Sequence, residues 1–147
     1  GSRGTEKYPS FVAEKLLSKS EIFSVQQPDG VTSFISIWSS EDGKQMYGRV
    51  LDVVDDEIVG ATSFMNSEYD PNPVIGSTRT DPEFQRKGFA IRRTALINQV
   101  CKSRLGLPLR ASIVRTADAE AFWQRLVKEG VAKEMTTPNG HKTYTLL

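Results

Sequence analysis

The sequence predicts one mixed α/β domain built on a mostly antiparallel sheet, and three observations carry that prediction. Between residues 31 and 80, apolar residues alternate with period two in runs broken by turn-forming clusters. From Gly88 to Glu129 the period changes to that of amphipathic helices. Pro138-Asn139-Gly140 then separates two short runs, the strongest short hairpin signal in the chain.

Taken in order, residues 9–18 read as a short amphipathic helix whose stripe is Val12, Ala13, Leu16 and Leu17, with Pro9 in the first turn. Gln27-Pro28-Asp29-Gly30 is a turn, and Val31 to Ser39 is a strand through Phe34 and Trp38. After the turn Glu41-Asp42-Gly43-Lys44, Met46 to Val54 and Glu57 to Met65 form a hairpin around Asp55-Asp56. The loop Tyr69 to Pro73 leads into a strand, Val74 to Thr80. Gly88 to Leu105 is a helix burying Ile91, Ala95, Ile97, Val100, Cys101 and Leu105, with Arg92, Arg93, Asn98, Gln99 and Lys102 outward. Gly106 and Pro108 stop it. Leu109 to Val114 is a short strand, and Asp118 caps a second helix that runs to Glu129 with Ala119, Phe122, Leu126 and Val127 inward. Val131 to Met135 and Lys142 to Leu147 close the fold as a hairpin. Without repeats or linkers this is a single domain over residues 3–147, and Gly1-Ser2 reads as an expression scar.

Composition narrows the function classes. The chain has 147 residues, 38% hydrophobic and 25% charged, ordinary for a soluble globular domain. No apolar run approaches the roughly 18 residues of a membrane span, and no signal peptide is visible, so a cytoplasmic protein without a membrane role is expected. The single cysteine, Cys101, excludes an intramolecular disulfide, and with the lone His141 it excludes a Cys/His zinc cage, so no metal is expected. Cys101 reads as a buried small hydrophobe and His141 as an exposed residue after a hairpin turn.

The net charge of +1 conceals an asymmetry. Glu41, Asp42, Asp52, Asp55, Asp56, Glu57, Glu68 and Asp70 crowd the stretch from Glu41 to Thr78, against Lys44 and Arg49. Arg79 to Arg115 carries nine bases against Asp81 and Glu83. Most of these charges read as solvated faces and turns. Nucleic-acid binding is disfavoured, because the bases are not interleaved with exposed aromatics.

The informative segment is Thr80-Asp81-Pro82-Glu83-Phe84-Gln85-Arg86-Lys87-Gly88-Phe89-Ala90, which leaves a strand and opens a helix. The first helical N–H groups there lack partners and, with the helix dipole, favour an anion. Gly88 lets backbone approach the anion, small Ala90 keeps the next turn open, and Arg86 and Lys87 add positive charge. A Walker loop and a dinucleotide fingerprint are both absent.

Gln85-Arg86-Lys87-Gly88-Phe89-Ala90 resembles the coenzyme A pyrophosphate loop of the Gcn5-related N-acetyltransferases (GNAT), and Asp81-Pro82-Glu83-Phe84 resembles that family's lead-in. The resemblance spans about residues 45 to 147 and is firmest from Thr80 to Gly130. It implies a GNAT-like domain whose central sheet is splayed at a cofactor cleft, using acetyl-CoA or coenzyme A. Arg86 to Ala90 (including Lys87, Gly88 and Phe89) would bind pyrophosphate through backbone N–H groups, with Gln85 opening the loop. Arg79 and Thr80 would pair with the pantetheine amides, and Asp118 stands where an Asn contacting the cofactor arm is common. Arg92 or Arg93 could reach the 3′-phosphate.

The implied reaction moves an acetyl group to a primary amine of a small molecule, a protein lysine or an N-terminus, and a homodimer stays open. The family's Tyr acid position holds Trp123, whose indole is far too weak an acid to protonate a thiolate; Trp123 therefore reads as packing. Glu68 is the candidate base, with Asp70 beside it, although a loop carboxylate is ordinarily just solvated. The acidic half suggests a cationic acceptor. Two readings stay open: an N-acetyltransferase, and a catalytically weak or inactive acyl-CoA-binding or interaction module.

Overall fold

Asp55 and Asp56 both adopt positive φ (48° and 63°), the conformation that lets a two-residue turn match the twist of its strands. Around that turn the computed structural model, which describes residues 20–147, builds an antiparallel meander. Its strands are β1 (Glu21–Gln26), β2 (Thr32–Ser39), β3 (Met46–Val54), β4 (Glu57–Met65) and β5 (Val74–Thr80), hydrogen-bonded in that order. Two helices follow, α1 (Phe89–Leu105) and α2 (Ala117–Lys128), then the hairpin β6 (Ala132–Thr136) and β7 (Lys142–Leu146). The mixed α/β class and the mostly antiparallel sheet are as the sequence predicts. The helix expected over residues 9–18 lies outside the described residues.

Alternation decides the two faces of the sheet. Ile35, Ile37, Val50 and Phe64 meet Ile97 and Cys101 of α1, and the same core continues through Leu109, Trp123, Leu126, Tyr144 and Leu146. Phe34, Leu51 and Val53, with Ile58 and Ala61, cluster separately on the opposite face. Val31, Val59 and Phe89, with Phe84, pin the start of α1 against the sheet.

Several elements differ from the expectation. Glu21–Gln26 is an edge strand paired with β2, from Glu21 opposite Ile37 to Gln26 opposite Thr32. Leu109 to Val114 is not a strand: only Arg110 bridges, in parallel to Val74 and antiparallel to Thr145. Ile75 N–H donates to Arg110 O at 2.9 Å, Ala111 N–H to Tyr144 O at 2.9 Å and Leu146 N–H to Leu109 O at 3.0 Å, so this short stitch joins the two sheets. Beyond it the chain bends away. The cap of α2 is Thr116, whose Oγ1 accepts from Ala119 N–H at 3.1 Å; Asp118 lies two residues further on, in the first turn, where its charge favours the helix N-terminus.

The largest correction concerns α1. Arg93 is fully buried rather than outward, Asp52 is buried rather than a surface charge, and Ala95 is exposed. Arg93 Nη1 lies 2.7 Å from Asp52 Oδ2. Its Nε donates to Thr62 Oγ1 at 2.9 Å, and Nη2 donates to Thr80 Oγ1 at 2.7 Å and Arg79 O at 2.8 Å. Ser33 Oγ donates to Asp52 Oδ1 at 2.6 Å. Gly60 makes room for this guanidinium: a Cβ there would collide with Arg93 Nη1. Burial pushes the Arg93 pKa down while Asp52 pulls it back up.

Candidate functional site

β5 is bonded to β4 along one edge, and its other edge has a single bridge, at Val74, among the described residues. Past that stitch, β5 and the segment Ser112–Thr116 part. The gap between them is a cleft of about 650 Å³. Its walls are β5 from Ile75 to Thr80 on one side and Ser112, Val114, Arg115 and Thr116 on the other, with Asp118, Ala119, Phe122 and Trp123 of α2 beneath. Gln85 and Ala90 stand at the end where α1 begins.

That end has the features an anion needs. Gly88 is the N-cap of α1, with φ 84° and no side-chain capping bond. The first helical bond runs from Arg92 N–H to Gly88 O at 3.0 Å, which leaves the N–H groups of the preceding turn without intrahelical partners. Arg86 also adopts positive φ, 62°, a conformation non-glycine residues rarely hold. Its side chain and that of Lys87 are exposed. Gln85 Nε2 donates to Thr80 O at 2.9 Å and ties the loop to the end of β5. Phe89 is buried and packs on Phe84 with ring centroids 5.6 Å apart, so the turn is anchored from below. Arg92 lies over the Phe89 ring at 4.8 Å, and its Nη2 is buried without a hydrogen-bond partner among the described residues.

The site residues expected from sequence fall into two groups. Arg79, Thr80, Gln85, Ala90, Asp118 and Trp123 all line the cleft, and Arg86, Lys87, Gly88 and Phe89 form the turn at its end. Glu68 is exposed on the loop before β5 and does not line it. Asp118 is the one carboxylate among the lining residues. Trp123 is 2% exposed and stacks on Tyr144, centroids 6.2 Å apart and planes within 10°. His141 is exposed on the far hairpin, and Cys101 is buried, its thiol pushed up to about 12 by desolvation. Neither faces the cleft.

Sequence reasoning missed Arg115, which shapes the wall. Its Nη1 donates to Ser112 O at 2.6 Å and Thr143 Oγ1 at 3.2 Å, and its Nε lies 2.7 Å from Glu120 Oε1. The guanidinium sits 5.0 Å from the Tyr144 ring centroid, and the Tyr144 hydroxyl donates to Glu120 Oε2. That hydrogen bond, with Arg115 beside it, holds the Glu120 carboxyl below the usual carboxylate range. The same bond, with burial, raises the Tyr144 phenol above its ordinary value. No local spacing announces this cluster, because Tyr144 comes from the last strand.

No protein-family model matches the chain, and no curated protein sequence matches it significantly. Among solved structures it is similar to the ribosomal-protein-S18-alanine N-acetyltransferase from Escherichia coli, with 16% identity and a TM-score of 0.48 over 67% of this chain. The match spans 65% of that protein's length. So partial a likeness bears on neither activity nor substrate. Among the described residues, no helix is long and apolar enough to cross a membrane.

Proposed function

We propose that the protein is an acyl-CoA-dependent N-acetyltransferase of the GNAT type, moving an acetyl group from acetyl-CoA to a primary amine. One observation carries the reading: the uncapped start of α1, with left-handed Arg86 and Gly88, opens at the end of the cleft where β5 has lost its neighbour. Pyrophosphate fits the free N–H groups of that turn. The pantetheine amides suit the open edge of β5, and the thioester would rest near Phe122 and Trp123. The amine nitrogen attacks the thioester carbonyl, the C–S bond breaks, and coenzyme A leaves as its thiolate while the amine loses a proton. Trp123 cannot return that proton to sulfur, so solvent supplies it. Asp118, at the cleft wall, would contact the cofactor arm. Glu68 would act as base only through a loop that reaches the cleft.

A second reading, an acyl-CoA binder without turnover, is favoured by the same Trp123. The test is a melting curve with acetyl-CoA followed by thiol release against a panel of amines. A ligand bound only to the folded state at about 100 times its Kd adds about 2.7 kcal/mol. A melting shift with turnover supports the transferase, and a shift with no turnover on any amine supports the binder. No shift with millimolar acetyl-CoA rejects both.

A further inference from the structure

Beyond the stitch the two strands diverge, although the backbone groups that could continue their pairing are present. A parallel ladder bonds every second residue of one strand to the two residues flanking its partner. The stitch obeys this rule: Arg110 N–H donates to Pro73 O at 3.0 Å, and Ile75 N–H donates to Arg110 O at 2.9 Å. Carried one repeat further, the rule has Ser77 N–H donate to Ser112 O, and at the next repeat Val114 N–H donate to Ser77 O. Three of these groups bond elsewhere. Ser77 N–H donates to Ser63 Oγ at 3.0 Å, on the β4 side. Ser112 O accepts from Arg115 Nη1 at 2.6 Å, and Val114 N–H donates to Ser112 Oγ at 3.2 Å.

The first diversion has its cause in the register. Thr62 stands opposite Thr78 but Phe64 opposite Ile75, so Ser63 faces both Gly76 and Ser77, and the extra residue turns the Ser77 amide toward β4. Gly76 suits that position, because a Cβ there would come within 2.7 Å of Ser63 Oγ. Arg115 is held in its turn by Glu120, at 2.7 Å, and by the Tyr144 ring. We infer that Ser63 and Arg115 are positioning residues for the cleft: each occupies one half of the Ser77–Ser112 hydrogen bond, and together they keep β5 apart from Ser112–Thr116. Backbone N–H and C=O groups are obligatory hydrogen-bonding groups. Freeing both halves therefore lets the ladder extend and fill the gap. That a cofactor arm uses this gap rests on the transferase reading. The held-open seam is a property of the fold alone.

The test reads the seam directly in the full chain. Amide hydrogen exchange at Ser77, and the coupling through a hydrogen bond between Ser77 N and the Ser112 carbonyl carbon, are measured in wild type, Ser63→Ala, Arg115→Gln and the double variant. Acetyl-CoA is titrated into each. Loss of a merely structural contact speeds exchange, whereas closure of the seam slows it. The double variant should show the coupling, Ser77 exchange slowed about tenfold, and acetyl-CoA binding weakened about tenfold. Putting Lys in place of the Gln at position 115 returns a donor to Ser112 O and should restore part of both. Ser63→Ala alone removes only an exposed hydrogen bond, and Ser112 O has a second lone pair. It should therefore show part of the slowing, which keeps the test decisive if Arg115→Gln does not fold. Ser77 exchange that is unchanged or faster, or a closed seam in a variant that binds acetyl-CoA as tightly as wild type, overturns the inference. If the seam closes but acetyl-CoA binds not even the wild type, the transferase reading falls and the positioning role stands.

Discussion

Arg93 Nη1 and Asp52 Oδ2, 41 residues apart in sequence, meet at 2.7 Å with side-chain exposures of 0% and 3%. The same guanidinium holds Arg79 O and Thr80 Oγ1, so a buried ion pair fixes the end of the strand that walls the cleft. The pair links the core to the site.

Removing one partner of such a pair strands the other's charge, at about 3–5 kcal/mol. Asp52→Ala and Arg93→Met should each destabilise by about that amount in denaturant melts. Asp52→Leu with Arg93→Met should recover most of the loss, since no unpaired charge is left buried. A double variant no more stable than either single would contradict this account.

Gly88 holds φ 84°, and nothing stands within 4 Å of where a Cβ would project. Gly88→Val therefore meets no clash and should cost only the strain of the left-handed region, about 1–2 kcal/mol. It should nevertheless abolish the acetyl-CoA-dependent melting shift, because it reshapes the turn at the anion end of the cleft. Gly88→Asn, which tolerates that conformation better, should keep part of the shift.

Trp123→Phe keeps an aromatic body against Tyr144 and should retain turnover within about tenfold, since the indole is no acid. Trp123→Ala should lose about 3–5 kcal/mol of stability through its cavity. A folded Trp123→Phe that binds acetyl-CoA normally yet falls more than about a hundredfold in turnover would show that the indole N–H positions a reactant.

Glu120 and Tyr144 predict opposite pH arms. Glu120 has its folded pKa depressed, first by the Tyr144 hydroxyl and then by Arg115. Its contribution is thus present above the unfolded carboxylate value of about 4.3 and fades as pH falls through the folded value. Tyr144 has its pKa raised, first by the hydrogen bond to Glu120 and then by burial. Its contribution is complete below about pH 10 and fades as pH climbs through the raised value. The difference in melting temperature between wild type and Tyr144→Phe should therefore shrink above about pH 10. The difference between wild type and Glu120→Gln should shrink below about pH 4.3. Differences flat across both windows would break the link.

What the sequence reveals here is what local patterning can reveal. The β3–β4 hairpin, β5 and α1 follow from alternation, from Asp55-Asp56 and from the glycines flanking the helix, and the phosphate-loop residues are contiguous. Arg93 was not readable, because a periodicity argument sends every arginine outward, and its partner lies three strands upstream. The segment after Pro108 has the apolar run of a strand, yet only Arg110 finds partners on both sides before the chain turns away. That divergence is the cleft itself.

The stacking of Trp123 on Tyr144 also has an optical consequence. The chain has two tryptophans, and they occupy contrasting surroundings: Trp38 is 38% exposed on β2, and Trp123 is 2% exposed under the cleft. Emission from the native protein is therefore a sum of a red, quencher-accessible component and a blue, shielded one. Replacing Trp38 with phenylalanine leaves a single fluorophore whose colour reports what occupies the space above it, a built-in gauge of ligand entry that needs no label.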